Sequence, residues 1–225
     1  WCVAGHPTRR QCGAVFLTRF PTLLDSRRLR RFNARVPLDK LTIIGAGLLG
    51  GSIGMAARAR GLAKRVSALV RRPESVAECQ AIGVADEVTL DPAEAAACAD
   101  LIVLCTPISD MVDLAKRTLP HLKPGAVVTD VGSTKQQLVA ELTPLCAKAA
   151  VHFVGSHPMA GSDQTGPGAA RADLFDDTVC VVTPTGETHA DTLATVNDFW
   201  AGLGSRPVVM PTDTHDRLVA RCSHL

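Results

Sequence analysis

A glycine-rich turn between a strand-like segment and a helix-like segment constrains the fold of this chain most. The segment IIGAGLLGGSIG, residues 43–54, holds glycines in the spacing G-x-G-x-x-G. The spacing follows an apolar strand and opens a helix, which is the context that gives the motif its meaning. There the first glycine permits a tight turn, the second lets backbone N–H groups approach a pyrophosphate, and the third lets the helix pack on the strand. The sequence therefore predicts a dinucleotide-binding turn made of Gly45, Ala46, Gly47, Leu48, Leu49 and Gly50.

Short apolar runs alternate with helical patterns along the rest of the chain. The predicted strands are residues 41–45, 65–70, 87–90, 101–105, 126–129, 151–154, 178–184 and 206–210. The predicted helices are residues 48–60, 75–82, 92–97, 110–119, 134–149, 189–203 and 212–225. This alternation indicates βαβ units, and nearly continuous apolar strands are typical of a sheet that is covered on both faces. We therefore predict an α/β fold of the Rossmann type, a doubly wound and mostly parallel sheet, over residues 38–211.

The first 36 residues differ from the rest in composition. They contain many arginines, no lysine and a single acid, Asp25. We interpret residues 1–36 as a disordered or artefactual extension, and an organelle transit peptide is the weaker alternative. The rest of the chain carries more acidic than basic residues, which argues against a nucleic-acid surface.

Two further features bear on the compartment. The apolar run at residues 41–57 approaches the length of a membrane span, but its glycines fit the nucleotide turn better. The chain has 8 cysteines and no C-x-x-C pair, and Cys105 and Cys180 lie in apolar strand-like runs. This usage favours a reducing compartment over a disulfide framework. We expect a cytoplasmic protein that binds a small molecule, not a membrane or nucleic acid, and we predict no metal site.

The end of the second predicted strand bears on the choice of cofactor. A site that prefers NAD usually has an acid about 20 residues after the glycine loop, where it binds the ribose 2′-hydroxyl. Here the chain reads Val70, Arg71 and Arg72. Two guanidinium groups are suited to a 2′-phosphate, so the sequence favours NADP. The alternatives stay open that these arginines are solvated or stack on adenine, and that the cofactor is NAD. Beside the cofactor's ribose and nicotinamide we expect Thr106 and Pro107, although a structural turn also explains this proline.

Three motifs lie at predicted strand ends or just beyond them, where open α/β sheets bind their ligands. They are DVGSTK at 130–135, GSHPMAGS at 155–162 and THDRLVARCSHL at 214–225. With the glycine loop GAGLLGGS, their order resembles the prephenate and arogenate dehydrogenases of tyrosine biosynthesis, over about residues 41–225. The resemblance implies an oxidative decarboxylation with hydride transfer to a nicotinamide cofactor, of prephenate to 4-hydroxyphenylpyruvate or of arogenate to tyrosine. Other dehydrogenases, which act on β-hydroxy acids, share the glycine loop but lack the SHPMAGS segment.

The resemblance also implies a helical domain beyond the third motif. In that family this domain forms the dimer and supplies an arginine for the substrate's side-chain carboxylate. The sequence stops at Leu225, so we expect residues 212–225 to be the first helix of a truncated helical dimerisation domain. The full-length protein is then expected to be a homodimer. The alternative is a nucleotide-binding remnant without turnover, and the choice between prephenate and arogenate stays open.

Within these motifs, His157 is the candidate catalytic base. An ordinary imidazole pKa near ~6.5 lets it accept and return a proton, and its small neighbours leave room for a ring. We interpret its surroundings as a loop at a strand end. The resemblance implies that Ser133 orients this histidine, although it could instead cap a helix starting at Thr134. It also implies a substrate pocket, for which the candidate residues are Ser156, Ser162, Asp163, His215 and Ser223. His215 could alternatively be a packed histidine on an apolar helix stripe.

Overall fold

The computed structural model describes residues 37–222. The interpretation of residues 1–36 as an extension lies outside the described part of the chain, as does the candidate Ser223. Nine strands occur among the described residues. They are β1 (Leu41–Ile44), β2 (Val66–Leu69), β3 (Glu87–Thr89), β4 (Leu101–Leu104), β5 (Val127–Asp130), β6 (His152–Phe153), β7 (Gly155–Pro158), β8 (Val179–Thr183) and β9 (Arg206–Val209).

Seven α-helices connect or follow these strands within residues 37–222. They are α1 (Leu48–Ala59), α2 (Pro73–Ala81), α3 (Pro92–Ala96), α4 (Ile108–Thr118), α5 (Gln136–Lys148), α6 (Ala190–Gly202) and α7 (Thr212–Cys222). The apolar run at residues 41–57 divides into β1 and most of α1. None of the helices in the described part of the chain is both long and apolar enough to span a membrane.

The main sheet has six strands in the order β3-β2-β1-β4-β5-β6, and every pair in it is parallel. This is the doubly wound order in which the two halves of the sheet diverge between β1 and β4. All four residues of β1, β2, β4 and β5 are buried, so these strands are covered on both faces. The predicted α/β fold with a doubly wound parallel sheet is therefore confirmed.

A second, three-stranded sheet was not predicted. Its order is β7-β8-β9, with β7 antiparallel to β8 and β8 parallel to β9. The predicted loop around His157 is wrong, because this residue lies within β7 and is paired with Val181. The glycine before it has a packing role, since a Cβ on Gly155 would lie 2.6 Å from the Thr183 hydroxyl.

A buried ion pair joins the two sheets to α5. The Lys135 ammonium contacts the Asp130 carboxylate at the end of β5, and both side chains are fully buried. The same ammonium donates to the carbonyl of Ser156 at 2.9 Å. Asp130 in turn accepts from the backbone N–H of Ser156 at 3.0 Å and of Gly132 at 2.7 Å. Each charge is thus hydrogen-bonded as well as paired, which is what makes its burial tolerable.

The last described helix, α7, packs against the start of α5 through its acid Asp216. Its two carboxylate oxygens accept from the backbone N–H groups of Lys135 at 2.8 Å and Gln136 at 2.9 Å. These N–H groups have no partner inside α5 because they open the helix. A side chain from α7 therefore caps α5, and the alternative that Ser133 caps a helix starting at Thr134 is wrong. The helix begins at Gln136 instead. The assignment of α7 to a separate helical domain stays a prediction.

We expect Lys135→Met to lower the free energy of unfolding by about 3–5 kcal/mol, because it leaves a buried carboxylate without its cation. Urea denaturation of the purified chain measures this. The matched control is Lys148→Met, at the exposed end of the same helix, where a change below about 1 kcal/mol is expected. Equal stability of the two variants would contradict the role given to the ion pair.

Candidate active site

A cleft of about 570 Å³ opens where β1, β2 and β4 end. The predicted cofactor residues Gly45, Ala46, Gly47, Arg71, Arg72, Thr106 and Pro107 all line it. This is the place where an open α/β sheet binds its ligand, at the point where the strand order reverses. The same cleft is lined by Ser75 of α2, by Asp110, Asp113 and Arg117 of α4, and by Gly166 and Pro167 after β7. Sequence reasoning missed these residues.

The three motif glycines have separate structural roles. Gly45 has a positive φ of 97°, which a side chain rarely adopts. A Cβ on Gly50 would lie 2.0 Å from the carbonyl oxygen of Gly45, so α1 can approach β1 only without one. Gly47 is different, since a Cβ there would have no atom within 4 Å. The absence of a side chain at Gly47 is not required by packing, and it leaves the mouth of the cleft open.

The start of α1 supplies hydrogen-bond donors to this opening. The first backbone N–H groups of a helix have no intrahelical partner and favour a negatively charged group. In α1 they belong to Leu48, Leu49 and Gly50, with Gly47 as the N-cap. The side chains of Leu48 and Leu49 pack against the hydrophobic core, so the backbone of these residues is what they offer a ligand.

An unsatisfied hydroxyl supports the presence of a ligand in the cleft. Thr106 Oγ1 is buried and has no hydrogen-bond partner within the described residues. Thr106 also lines the cleft directly after β4. Leaving such a group unpaired costs free energy, so a polar ligand atom in the cleft would stabilise it. The donors of α1, the open space beside Gly47 and this hydroxyl together fit a bound dinucleotide.

The positive side chains of the cleft lie at the end of β2. Arg71 and Arg72 are both exposed and both line the cleft. The nearest acid after them, Glu74, does not line it. Arg117 lines the cleft from α4, as do the carboxylates of Asp110 and Asp113. The arginines are thus placed where a cofactor's ribose phosphate is expected, without a carboxylate at the end of β2.

His157 lies beyond the end of β5, in β7, with its ring partly exposed. Its Nδ1 is 2.9 Å from Nε2 of His215, and the two rings meet edge to face. Burial, followed by electrostatic effects of the nearby His215 and Lys135, lowers the pKa of His157 to about 4, against an opposing effect of Asp216. The free imidazole is therefore neutral at pH 7 and can accept a proton.

Two predicted substrate contacts are wrong. Ser156 is fully buried, because neighbouring residues of a strand point to opposite faces and its neighbour His157 faces out. Its hydroxyl bonds the Asp130 carbonyl at 2.5 Å and accepts from Trp200 Nε1 at 3.0 Å. His215 is 1% exposed, and its ring nitrogens contact His157 and Asp216, at 2.9 Å and 2.7 Å. It therefore lies behind the candidate base, out of reach of a substrate.

The other candidates keep their predicted roles as predictions. Ser133 is exposed between β5 and α5, and its hydroxyl has no protein partner within residues 37–222. Ser162 and Asp163 are exposed in the segment after β7, where Ser162 Oγ accepts from the backbone N–H of Gln164 at 3.1 Å. Sequence reasoning missed Asp130, Lys135 and Asp216, although each lies inside a motif quoted above. The signal that could have found them was a charged residue in the same motif as a polar candidate.

Known proteins resemble the chain in sequence and in structure. Cyclohexadienyl dehydrogenase of Zymomonas mobilis is 35% identical over 186 residues, which are 82% of this chain and 62% of that protein. The Synechocystis arogenate dehydrogenase structure superposes with a TM-score of 0.76 at 31% identity, covering 82% of this chain and 64% of that one. Prephenate dehydrogenase of Aquifex aeolicus, solved with hydroxyphenyl propionate and NAD+, gives a TM-score of 0.75 at 28% identity, covering 80% and 62%.

The chain thus spans less than two thirds of the length of these relatives. A family model described as the nucleotide-binding domain of prephenate dehydrogenase matches residues 53–209. The match runs from α1 to the end of β9 and includes His157 and the cleft-lining arginines. Since it covers well over half of the sequence, the chain belongs to the prephenate dehydrogenase family and carries the nucleotide-binding domain of that family.

Proposed function

We propose that this chain carries the cofactor site and the base of an NADP-linked dehydrogenase that oxidises and decarboxylates prephenate or arogenate. The observation that carries the proposal is a neutral, partly exposed His157 beyond the end of β5, at the same edge of the parallel sheet as the strand ends that open into the dinucleotide cleft. The names of the relatives support this substrate class, since they are cyclohexadienyl, arogenate and prephenate dehydrogenases.

The base acts on the hydroxyl of the substrate ring. Bound NADP+ supplies an acceptor for the hydride that leaves the ring carbon bearing this hydroxyl. His157 takes the hydroxyl proton as the carbonyl forms; the ring then loses carbon dioxide and becomes aromatic, and the proton returns to the ring oxygen. Because the pKa of His157 is lowered to about 4, the neutral form is present from well below pH 7 upward. A base of low pKa has a low affinity for the proton, so in this proposal aromatisation of the ring supplies the driving force for the reaction.

Arg71 and Arg72 support NADP as the cofactor. Both line the cleft at the end of β2, where a dinucleotide's adenosine ribose is expected. A guanidinium donates paired hydrogen bonds to a phosphate, whereas a 2′-hydroxyl needs an acceptor such as a carboxylate. A cofactor with a 2′-phosphate therefore gains contacts here that NAD does not.

We expect Gly47→Ala to weaken NADP+ binding by about tenfold or more, since its methyl group would enter the cleft mouth. The free energy of unfolding should change by less than about 1 kcal/mol, because no protein atom is displaced. Gly50→Ala, in contrast, should lower the free energy of unfolding by about 1–3 kcal/mol, because its methyl group would clash with the carbonyl oxygen of Gly45.

Calorimetric titration and urea denaturation of both variants measure these quantities. Gly186→Ala, where a Cβ also meets no atom within 4 Å, is the matched control and should leave both unchanged. Undiminished NADP+ binding by Gly47→Ala would show that the pyrophosphate does not approach this turn.

We expect the chain to bind NADP+ at least about tenfold more tightly than NAD+, and the double variant Arg71→Ala/Arg72→Ala to lose this preference. Its affinity for NAD+ should stay within about threefold of the parent value, because no 2′-phosphate contact is removed. The control is Arg65→Ala, directly before β2 at the opposite end of the strand, which pairs with Glu87 on the surface. A parent chain that prefers NAD+ would refute the choice of NADP.

We expect His157→Asn to keep the NADP+ affinity and to lose turnover of the preferred substrate by about 10²–10⁴-fold, the usual contribution of a general base. NADPH formation is followed by absorbance with prephenate and with arogenate in parallel. His121→Asn, at an exposed position after α4, is the control. A His157→Asn variant with near-parent turnover would exclude this base, and a parent chain that binds NADP+ but turns over neither compound would support a nucleotide-binding remnant.

A further inference from the structure

A line of hydrogen bonds runs from the start of α5 to the candidate base. The Asp216 carboxylate accepts from two backbone N–H groups of α5 and lies 2.7 Å from Nδ1 of His215. His215 Nε2 then lies 2.9 Å from Nδ1 of His157. Asp216 and His215 are adjacent on α7, whereas His157 lies in β7. Both ring nitrogens of His215 therefore have hydrogen-bond partners, whereas Nε2 of His157 has none among the described residues.

The order of these contacts fixes the direction of each hydrogen bond. Burial raises the pKa of Asp216, but hydrogen bonds from the backbone of Gln136, from His215 and from the backbone of Lys135 outweigh this effect and lower it overall. An ionised carboxylate can only accept, so Nδ1 of His215 must carry a proton. When His215 is neutral, its Nε2 is then an acceptor, and Nδ1 of His157 must donate to it.

We propose that Asp216 and His215 form a positioning dyad that sets the tautomer of His157, so that Nδ1 carries the proton and Nε2 is the free acceptor. The proposal rests on the proposed function only in giving Nε2 the substrate proton to accept. The dyad touches neither substrate nor cofactor, because His215 is buried and acts through His157.

The dyad has a second effect once His157 has taken a proton. Its Nδ1–H then donates to His215 more strongly, because the donor is charged, and the Asp216 carboxylate lies one ring further on. The other charged group that acts on His157 is the Lys135 ammonium, which opposes the extra charge and is itself paired with the Asp130 carboxylate. Among these groups, Asp216 is the one whose charge raises the pKa of His157.

The test is a direct measurement of the His157 tautomer. Long-range ¹H–¹⁵N spectra of the 225-residue chain, labelled at histidine nitrogens, show which ring nitrogen carries the proton. The His157→Asn variant assigns the signals. We expect His157 to carry its proton on Nδ1 in the parent chain. A parent His157 with its proton on Nε2 would overturn the proposal.

Two substitutions of His215 separate the dyad from a merely structural role. His215→Leu removes the acceptor but leaves Asp216 to cap α5, so His157 should lose its preference for the Nδ1 proton. The kcat of the His215→Leu variant should fall by about 10²-fold or more, with an unchanged KM for NADP+. His215→Gln retains an amide oxygen that can accept from His157, so it should restore the Nδ1 tautomer and part of kcat. If His215→Leu keeps both the parent tautomer and the parent kcat, the dyad has no such role.

The Asp216→Asn variant tests the other end of the line. Oδ1 of Asp216 contacts both the Lys135 backbone N–H and His215 Nδ1, so the amide oxygen of the variant should take this place and the Nδ1 tautomer of His157 should be kept. Loss of the carboxylate charge should lower the pKa of His157 further and reduce kcat. A reversed tautomer or an unchanged kcat would contradict the role given to Asp216. Asp213→Asn, an exposed position on the same helix whose parent residue pairs with Arg217, should change neither tautomer nor kcat. A parent chain with the expected tautomer but no turnover of prephenate or arogenate would leave the dyad standing and refute the proposed function. If His157→Asn loses turnover but His157 of the parent chain carries its proton on Nε2, the proposed function stands and the dyad is refuted.

Discussion

The buried contact between Lys135 and Asp130 is the interaction on which the rest of the site depends. Asp130 ends β5 in the parallel sheet, Ser156 belongs to the second sheet, and Lys135 immediately precedes α5. One ammonium and one carboxylate hold these three elements together through backbone contacts as well as charge. Because both side chains are fully buried, removal of either one would leave the other as an unpaired buried charge. His157 is the residue after Ser156, so its position is set by this pair.

Much of the fold was predictable because its signals are local. Buried parallel strands are continuous apolar runs, and the predicted strands in the main sheet end within one residue of those observed. β7 could not be predicted in this way, since Gly155, Ser156, His157 and Pro158 have little strand propensity. These residues form a strand because β8 offers them an antiparallel partner, which is a tertiary cause. Periodicity also does not reveal which sheet a strand joins.

The candidate site divides along the same line. The predicted cofactor residues follow the ends of β1, β2 and β4, where local spacing could place them, and most of them line the cleft. Ser156 and His215 were misplaced because a motif shows that residues are grouped but not which of them face the substrate. Lys135 and Asp216 have partners 5 and 81 residues away, and the longer separation leaves no trace in local pattern. The role of Lys135 as a buried cation and that of Asp216 as a helix cap can be seen only when the strands and α7 are packed together.

The capping of α5 by Asp216 bears on the modularity of this domain. The match to the family model ends at β9, before the helix that carries Asp216 and His215. A chimera joined directly after β9 would take its cap, and the histidine behind His157, from whichever protein donates the following helix. Under the proposed dyad, such a graft needs a donor helix that brings a histidine and an acid in the same register. The sequence boundary of the nucleotide-binding domain therefore leaves out the helix whose residues contact His157 and cap α5.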